Sequence, residues 1–419
     1  MFAFSIIVLL LILLALGAPV GFALLISGVA GLLAMGGLNM ALGVLKTAPA
    51  SAASSYELIT IPMFMLMAEF VILSGVADGL FRAAASWVGR VPGGLGVATA
   101  LAGAGFAAIS GSSTASAATL SSTTIPAMLK HGYEPKMACG VVAISGTLAM
   151  LIPPSIALVL YGIVADVSIG KLLIAGVVPG ILVMFTIILT VLYLVWRNPS
   201  VAPAGRAFSM REKLSTLREV GPMTALFVAV TGIIYSGIAT PTEASALGAF
   251  GALLLAWRAH RLSPRTLLTA CASAAHSTCM ILMIILGAQV FGYFVTLTQA
   301  TQNLVGWVHS LGLPALVVLA AILIGKMLLG AIMDQAAIII LAVPVVLPVI
   351  KSIGYDPVWF GVIMIVTAEV GLVTPPIGLN TFVVARYTGR PLGEVFRGVW
   401  PHVIAHLLAI AIFVFFPQI

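Results

Sequence analysis

Ser110-Gly111-Ser112-Ser113-Thr114-Ala115-Ser116 places five hydroxyl side chains and a glycine in seven consecutive positions. Asp334 follows Ser112 by 222 residues, inside Gly330-Ala331-Ile332-Met333-Asp334-Gln335. Each run precedes a proline pair, Ile152-Pro153-Pro154-Ser155 in one case and Thr374-Pro375-Pro376 in the other. Proline removes a backbone donor and its ring clashes with the preceding turn, so a helix breaks there. In hydrocarbon, freed carbonyls are tolerated only where protein buries them or a polar cavity meets them. Carbonyls, hydroxyls and one carboxylate form a set of hard oxygen ligands, suited to alkali or alkaline-earth cations rather than transition metals. Half-helix N-termini beside such breaks carry partial positive charge, which favours an anionic ligand. A lone carboxylate such as Asp334 in an apolar span is costly and points to function. The structural alternatives are a simple proline kink and hydroxyls that let helices pack closely.

The elements that must position these residues are membrane helices. Hydrophobic residues make up 61% of the 419, and charged residues only 7%, against about a quarter charged in soluble domains. Mean hydropathy is +1.21. The spacing of 222 recurs along the chain, pairing Pro19 with Pro241, Pro92 with Pro314, Pro126 with Pro348, Pro135 with Pro357, and Pro179 with Pro401. Gly132-Tyr133-Glu134-Pro135 is matched by Gly354-Tyr355-Asp356-Pro357. The chain therefore reads as two copies of one unit, residues 1–196 and 223–419, joined by a linker at 197–222. Paired broken helices in corresponding halves mark the substrate site of a secondary transporter. No Walker motif, Rossmann glycine motif or metal-ligand cluster is present in the sequence, which argues against ATP-driven pumping and against an enzyme. The excess of basic residues is read as topology, not as a nucleic-acid surface.

In the first copy, helices are expected at about 2–16, 19–36 and 58–80, with hairpin 1 at 95–129, a broken helix at 137–165 and a last helix at 171–196. Residues 2–16 lack a basic n-region and are read as a retained helix, not a signal peptide. The legs of hairpin 1 have about 15 residues each, some 22 Å, short of the ~20 residues that span a bilayer. The pair is therefore expected to be re-entrant, leaving about five crossings per copy. An odd number inverts the second copy, with hairpin 2 at 315–350 and a broken helix at 358–386. Loop charge supports this. With the linker inside, 15 of the 19 Lys and Arg fall on the cytoplasmic side and only Lys46, Lys171 and Lys351 outside, as the positive-inside rule asks. Both termini are then periplasmic. Residues 37–57 and 258–267 are expected as interfacial arms against the lipid bilayer, and Leu80 to Arg90 also reads as interfacial.

Other polar groups have structural readings first. Thr240-Pro241-Thr242-Glu243 has the form of a capping box. Glu69 could pair with Lys326, cap a tilted segment, or exchange a proton. Glu369, one turn before the second break, could brace the site or face the cavity. His276, Cys139, Cys271 and Cys279 read as packed residues of the interior.

These motifs resemble the large membrane subunit of TRAP (tripartite ATP-independent periplasmic) transporters over nearly the full length. The resemblance rests on Gly111-Ser112-Ser113, on Ile152-Pro153-Pro154-Ser155 with Tyr161-Gly162, and on Ser168-Ile169-Gly170-Lys171-Leu172. It continues through Pro241-Thr242-Glu243-Ala244, Met333-Asp334, Asp356-Pro357-Val358-Trp359-Phe360-Gly361 and Thr374-Pro375-Pro376-Ile377-Gly378-Leu379-Asn380. It implies an all-α polytopic protein of the bacterial cell inner membrane that works as a sodium-driven elevator, with two or more Na+ ions. The implied partners are a small membrane subunit, a periplasmic substrate-binding protein and a small carboxylate. It places Ser112, Ser113, Pro153 and Pro154 at one sodium site, and Asp334, Thr374, Pro375, Pro376 and Gly378 at the other. Ser113, Thr114, Ser155, Gln335 and Asn380 are expected to bind substrate, each hairpin tip facing the broken helix of its own copy. A stand-alone sodium–dicarboxylate symporter is the alternative within transport. A channel, or an intramembrane protease built on Asp334 and Glu369, are the alternatives outside it, and the internal duplication argues against the protease.

Overall fold

Proline and glycine set most of the helix ends. The computed structural model describes residues 2–418, where all regular secondary structure is helical. The first half contains α1 (Phe2–Ala15), α2 (Val20–Ser54), α3 (Thr60–Ser74), α4 (Val76–Val88), α5 (Gly94–Ser110), α6 (Ser113–Thr123) and α7 (Ile125–Lys130). It closes with α8 (Pro135–Thr147), α9 (Ile156–Ala165), α10 (Ile169–Ala175) and α11 (Val177–Arg197). The second half contains α12 (Met210–Tyr235), α13 (Pro241–Arg258), α14 (Pro264–Leu297), α15 (Ala300–Ser310) and α16 (Ala315–Gly330). The last four are α17 (Gln335–Ser352), α18 (Pro357–Gly371), α19 (Leu379–Thr388) and α20 (Leu392–Phe415). Seven segments among the described residues are long and apolar enough to cross a membrane, so the protein is a multi-span membrane protein. Large apolar side chains such as Leu189, Leu408 and Trp196 stand out from the helices, as lipid-facing positions do.

Some helix boundaries follow the 222-residue spacing. Residues 113–130 of α6 and α7 correspond to α17 at 335–352, and Pro135 and Pro357 open α8 and α18. The expected broken helices are the pairs α8–α9 and α18–α19, and each proline pair contains a cis peptide bond. The expected hairpins are α5 with α6–α7, and α16 with α17. The stretch expected as an arm at 37–57 is helical to Ser54 and is set off from the preceding part of α2 by a kink at Gly37. One difference lies at 58–80, where Gly75, at φ 73, ends α3 and starts α4.

Two groups of helices emerge from the packing. α2 lies along α14 and α13 along α3, forming an outer layer. Inside, α8 is buried from Met137 to Thr147 and α18 from Phe360 to Gly371. α8 meets α20 where Gly140 and Gly398 let two backbones touch; a Cβ on either would overlap the other helix. The second half of each broken helix packs on the hairpin of the other half of the chain, α9 against α17 and α19 against α6. In the second copy the hairpin tip also meets its own broken helix: the carbonyl of Ala331 accepts from Ile377 N at 3.2 Å and Gly378 N at 3.1 Å.

Several basic segments share one end of the molecule. The linker is tied to its neighbours by Gly93 N to Ala202 O at 3.0 Å, Glu134 N to Val201 O at 2.8 Å and Gly205 N to Gly89 O at 2.9 Å. Arg82 pairs with Glu219 at 3.0 Å. Lys136, Arg197 and Arg397 line one cavity of about 620 Å³ at that end.

Candidate functional site

Ser112 is the N-cap of α6, its Oγ accepting from Ala115 N at 3.4 Å, and Gly111 turns the chain ahead of it at φ 57. Asp334 is the N-cap of α17, its Oδ2 accepting from Ala336 N at 3.0 Å. Both tips thus aim a helix N-terminus at the space between them. That space is a cavity of about 200 Å³ lined by residues 110–115 of one tip and Asp334, Gln335 and Ala336 of the other. Glu69 of α3 and Ser277 of α14 border it from the outer layer. Among its lining residues are two carboxylates and no Lys, Arg or His.

Of the expected site residues, Ser112, Ser113, Thr114, Asp334 and Gln335 line this cavity. Ser155 lies just behind it: its Oγ donates to Met150 O and accepts from Leu158 N at 3.2 Å, capping α9. Pro153 and Pro154 are buried with it. Across the molecule the second break does not line the cavity. Thr374 donates to Gly371 O at 3.1 Å, while Pro375 and Pro376 are exposed. Gly378 holds φ 55, and a Cβ there would stand 2.9 Å from Thr374 O. Asn380 is buried, its Nδ2 donating to Ala143 O at 3.4 Å.

Several buried polar atoms have no hydrogen-bond partner among the described residues: Ser113 Oγ, Ser145 Oγ, Asn380 Oδ1, and both the oxygen and nitrogen of the Gln335 amide. Buried polar groups are nearly always satisfied, so these oxygens suit ligands that arrive with a bound ion or molecule. Side-chain oxygens of this kind are of the hard-ligand type that alkali and alkaline-earth cations take. No group of three or more His, Cys, Asp or Glu among the described residues could hold a metal ion by itself.

Some expected roles need correction. Glu69 does not pair with Lys326; it accepts from Ser273 Oγ at 2.5 Å. Lys326 is buried and its Nζ donates to Met364 O. Glu369 does not face the cavity; it is fully buried with His406 Nε2 at 3.8 Å from its Oε2. His276, Cys271 and Cys279 lie on exposed faces of α14, whereas Cys139 is in the core. The capping box at α13 is present in full, with Thr240 N donating to Glu243 at 2.8 Å and Glu243 N to Thr240 Oγ1 at 3.3 Å. Ser277 was not among the expected site residues, because a serine in an apolar helix carries no local signal of facing a cavity.

Residues 7–419 match the family model described as the DctM component of tripartite ATP-independent periplasmic transporters. The chain is 38% identical over 398 residues to the C4-dicarboxylate TRAP transporter large permease protein DctM of Pseudomonas aeruginosa, covering 91% of this chain and 92% of that one. It is 31% identical over 409 residues to the isethionate TRAP transporter permease protein DctMQ of Oleidesulfovibrio alaskensis, covering 97% of this chain and 64% of that one. Among solved structures, the Alcanivorax borkumensis YdaH transporter superposes with a TM-score of 0.67 at 15% identity, covering 91% and 90% of the two chains. That likeness concerns the fold. The chain belongs to the DctM family, the large membrane subunits of TRAP transporters.

Proposed function

We propose that this subunit carries out sodium-coupled uptake of a small carboxylate across the bacterial inner membrane by an elevator motion. The observation that carries the reading is the meeting of both hairpin tips on one cavity that contains Glu69 and Asp334 but no basic side chain. An anionic substrate entering such a site meets two carboxylates. Only the N-termini of α6 and α17 and bound cations can offset that repulsion. Substrate and sodium therefore have to bind together, which is the thermodynamic basis of symport.

Na+, when bound, supplies the positive charge that holds the substrate carboxylate. Ser112 and Ser113, with carbonyls at Pro153 and Pro154, would hold one ion. Asp334 and Thr374, with carbonyls around Pro375, Pro376 and Gly378, would hold another. Ser113, Thr114, Ser155, Gln335 and Asn380 are the hydrogen-bonding groups assigned to the substrate. The two halves are inverted repeats, so each hairpin closes the site toward one side of the membrane. The hairpins and broken helices move as one unit against α2, α3, α13 and α14. A small membrane subunit and a periplasmic binding protein complete the system.

Uptake into liposomes tests the whole reading. They contain this chain with its small subunit, and binding proteins loaded with C4-dicarboxylates, sialic acid or other acids are supplied outside with a sodium gradient. Accumulation that needs both sodium and a binding protein is expected. Accumulation with sodium but without a binding protein would instead indicate a stand-alone symporter. Uptake indifferent to sodium removes the coupling.

A further inference from the structure

Four ionisable side chains meet in the interior, away from the cavity. Lys326 comes from α16, Glu369 from α18, and His402 and His406 from successive turns of α20. Lys326 is 4% exposed and the other three 0%. Their polar atoms are largely unengaged: neither oxygen of Glu369, neither ring nitrogen of His402, nor Nε2 of His406 has a hydrogen-bond partner among the described residues. His406 Nδ1 lies 3.1 Å from His402 O, and Lys326 is directed to Met364 O. The only basic group within 4.0 Å of Glu369 among the described residues is His406. Thr147, which precedes Glu369 by the repeat spacing of 222, lies beside it, but its hydroxyl donates to Ile144 O at 2.8 Å.

We propose that Glu369, beside His406, binds one exchangeable proton, making this cluster a proton-binding site inside the inner helix unit. An isolated buried charge is very costly, so such groups are paired or neutral. Glu369 Oε2 and His406 Nε2 stand 3.8 Å apart, too far for a hydrogen bond, and a buried ion pair without one is costly, so with the proton present the pair is a carboxylic acid beside a neutral imidazole. Loss of the proton to solvent leaves the carboxylate of Glu369 with Lys326 as its nearest remaining counter-charge. The net charge of the cluster therefore changes by one as the site fills and empties.

Other titratable groups on elements packed against α18 lie elsewhere. Tyr161 of α9 donates to Pro357 O at 2.6 Å, twelve residues from Glu369 and so about 18 Å along the helix. Asp356 caps the start of α18. Lys171 of α10 and Lys351 at the end of α17 are exposed, and Asp334 caps the opposite end of α17.

Infrared difference spectra of the full chain in liposomes, taken as the pH falls from about 9 to about 5, test the site. A protonated-carboxyl band that grows on acidification in the wild type and is missing in Glu369→Gln is expected. His406→Asn should move the midpoint of that band by about one pH unit or more, a tenfold change in proton affinity. Lys326→Met should move it as well, because it removes the longer-range counter-charge. If Glu369→Gln is not recovered folded, Glu369→Asp takes its place, since it keeps a carboxyl whose band is displaced. A wild-type spectrum with no carboxyl change that these substitutions at 369 remove or displace overturns the proposal. So does a midpoint that His406→Asn leaves in place.

Discussion

Asp334 carries two roles on one side chain, and they can be separated. Its carboxylate caps α17 and is also assigned to a sodium ion. Asparagine is about as good an N-cap as aspartate, while alanine costs about 1 kcal/mol. Asp334→Asn should therefore leave the melting temperature in detergent nearly unchanged and lower sodium-dependent uptake about tenfold or more. Unchanged sodium affinity in this variant would leave Asp334 as a cap alone. Gln335 offers a parallel test. Both polar ends of its buried amide are unsatisfied among the described residues, and an unmet buried amide costs about 1–3 kcal/mol. Gln335→Met removes that cost, so the variant should be at least as stable as the wild type. It should nevertheless raise the substrate concentration needed for half-maximal uptake. A loss of stability with uptake intact would make Gln335 a packing residue.

At the scale of helices, the contact of α8 with α20 decides how closely the inner unit can pack. A side chain at Gly140 or Gly398 would enter the opposing backbone, and overpacking of this kind costs about 1–3 kcal/mol or more. Gly398→Val should lower the thermal midpoint and the yield of folded protein, whereas Gly393→Ala, in open space at the start of the same helix, should not. α18 also connects two proposed sites. Glu369 stands five residues before Thr374, the last three of them past the end of α18 at Gly371, a separation on the order of 10 Å. At an effective dielectric near 20, a unit charge at that distance contributes about 2 kcal/mol. A proton added at the Glu369–His406 pair is positive and opposes a sodium ion at the second break. The sodium concentration for half-maximal uptake should therefore rise as pH falls from about 8 to about 6, by up to about thirtyfold. Glu369→Gln should flatten that dependence. A wild-type sodium affinity that is the same at both pH values rules out the linkage.

The whole molecule divides into an outer layer and an inner unit, and the proposed transport cycle requires the second to slide past the first. Ser277 of the outer layer and Ala336 of hairpin 2 line the same cavity, so a crosslink between cysteines placed there should stop uptake and be reversed by reduction. A crosslink between the Ser112 and Ser155 regions, both within the inner unit, should leave movement largely intact. Turnover that continues with Ser277 and Ala336 locked would favour a site that stays fixed while its surroundings rock. Orientation is tested separately. The linker, the turn at Gly89 to Gly93 and the Glu134 region are hydrogen-bonded together at one end. Cysteines placed in 199–218 should accordingly react only with a reagent on the cytoplasmic side, and one at Thr301 only with a reagent outside. Labelling of both from one side would contradict the inverted-repeat topology.

Much of this architecture was determined by local sequence. A helix ends where Pro153-Pro154 and Pro375-Pro376 remove donors, crosses a bilayer where apolar residues run long enough, and turns back where Gly111 supplies a positive φ. Those are properties of neighbouring residues, and a spacing of 222 repeats them, so hairpins, broken helices and the candidate tips were all legible. The tertiary structure decided which of those pieces meet. Ser112 and Asp334 share a cavity, yet Pro375 and Pro376 lie off it. Glu69 finds Ser273, 204 residues away, instead of Lys326. His402 and His406, ordinary polar residues on an apolar helix, come to lie with Glu369. Such contacts depend on how α9, α17, α18, α19 and α20 rotate and cross once packed. Helical periodicity leaves that free, because the same apolar stripe can face lipid, a hairpin or another broken helix. Only the close approach of whole helices, set by small residues such as Gly140 and Gly398, selects one arrangement.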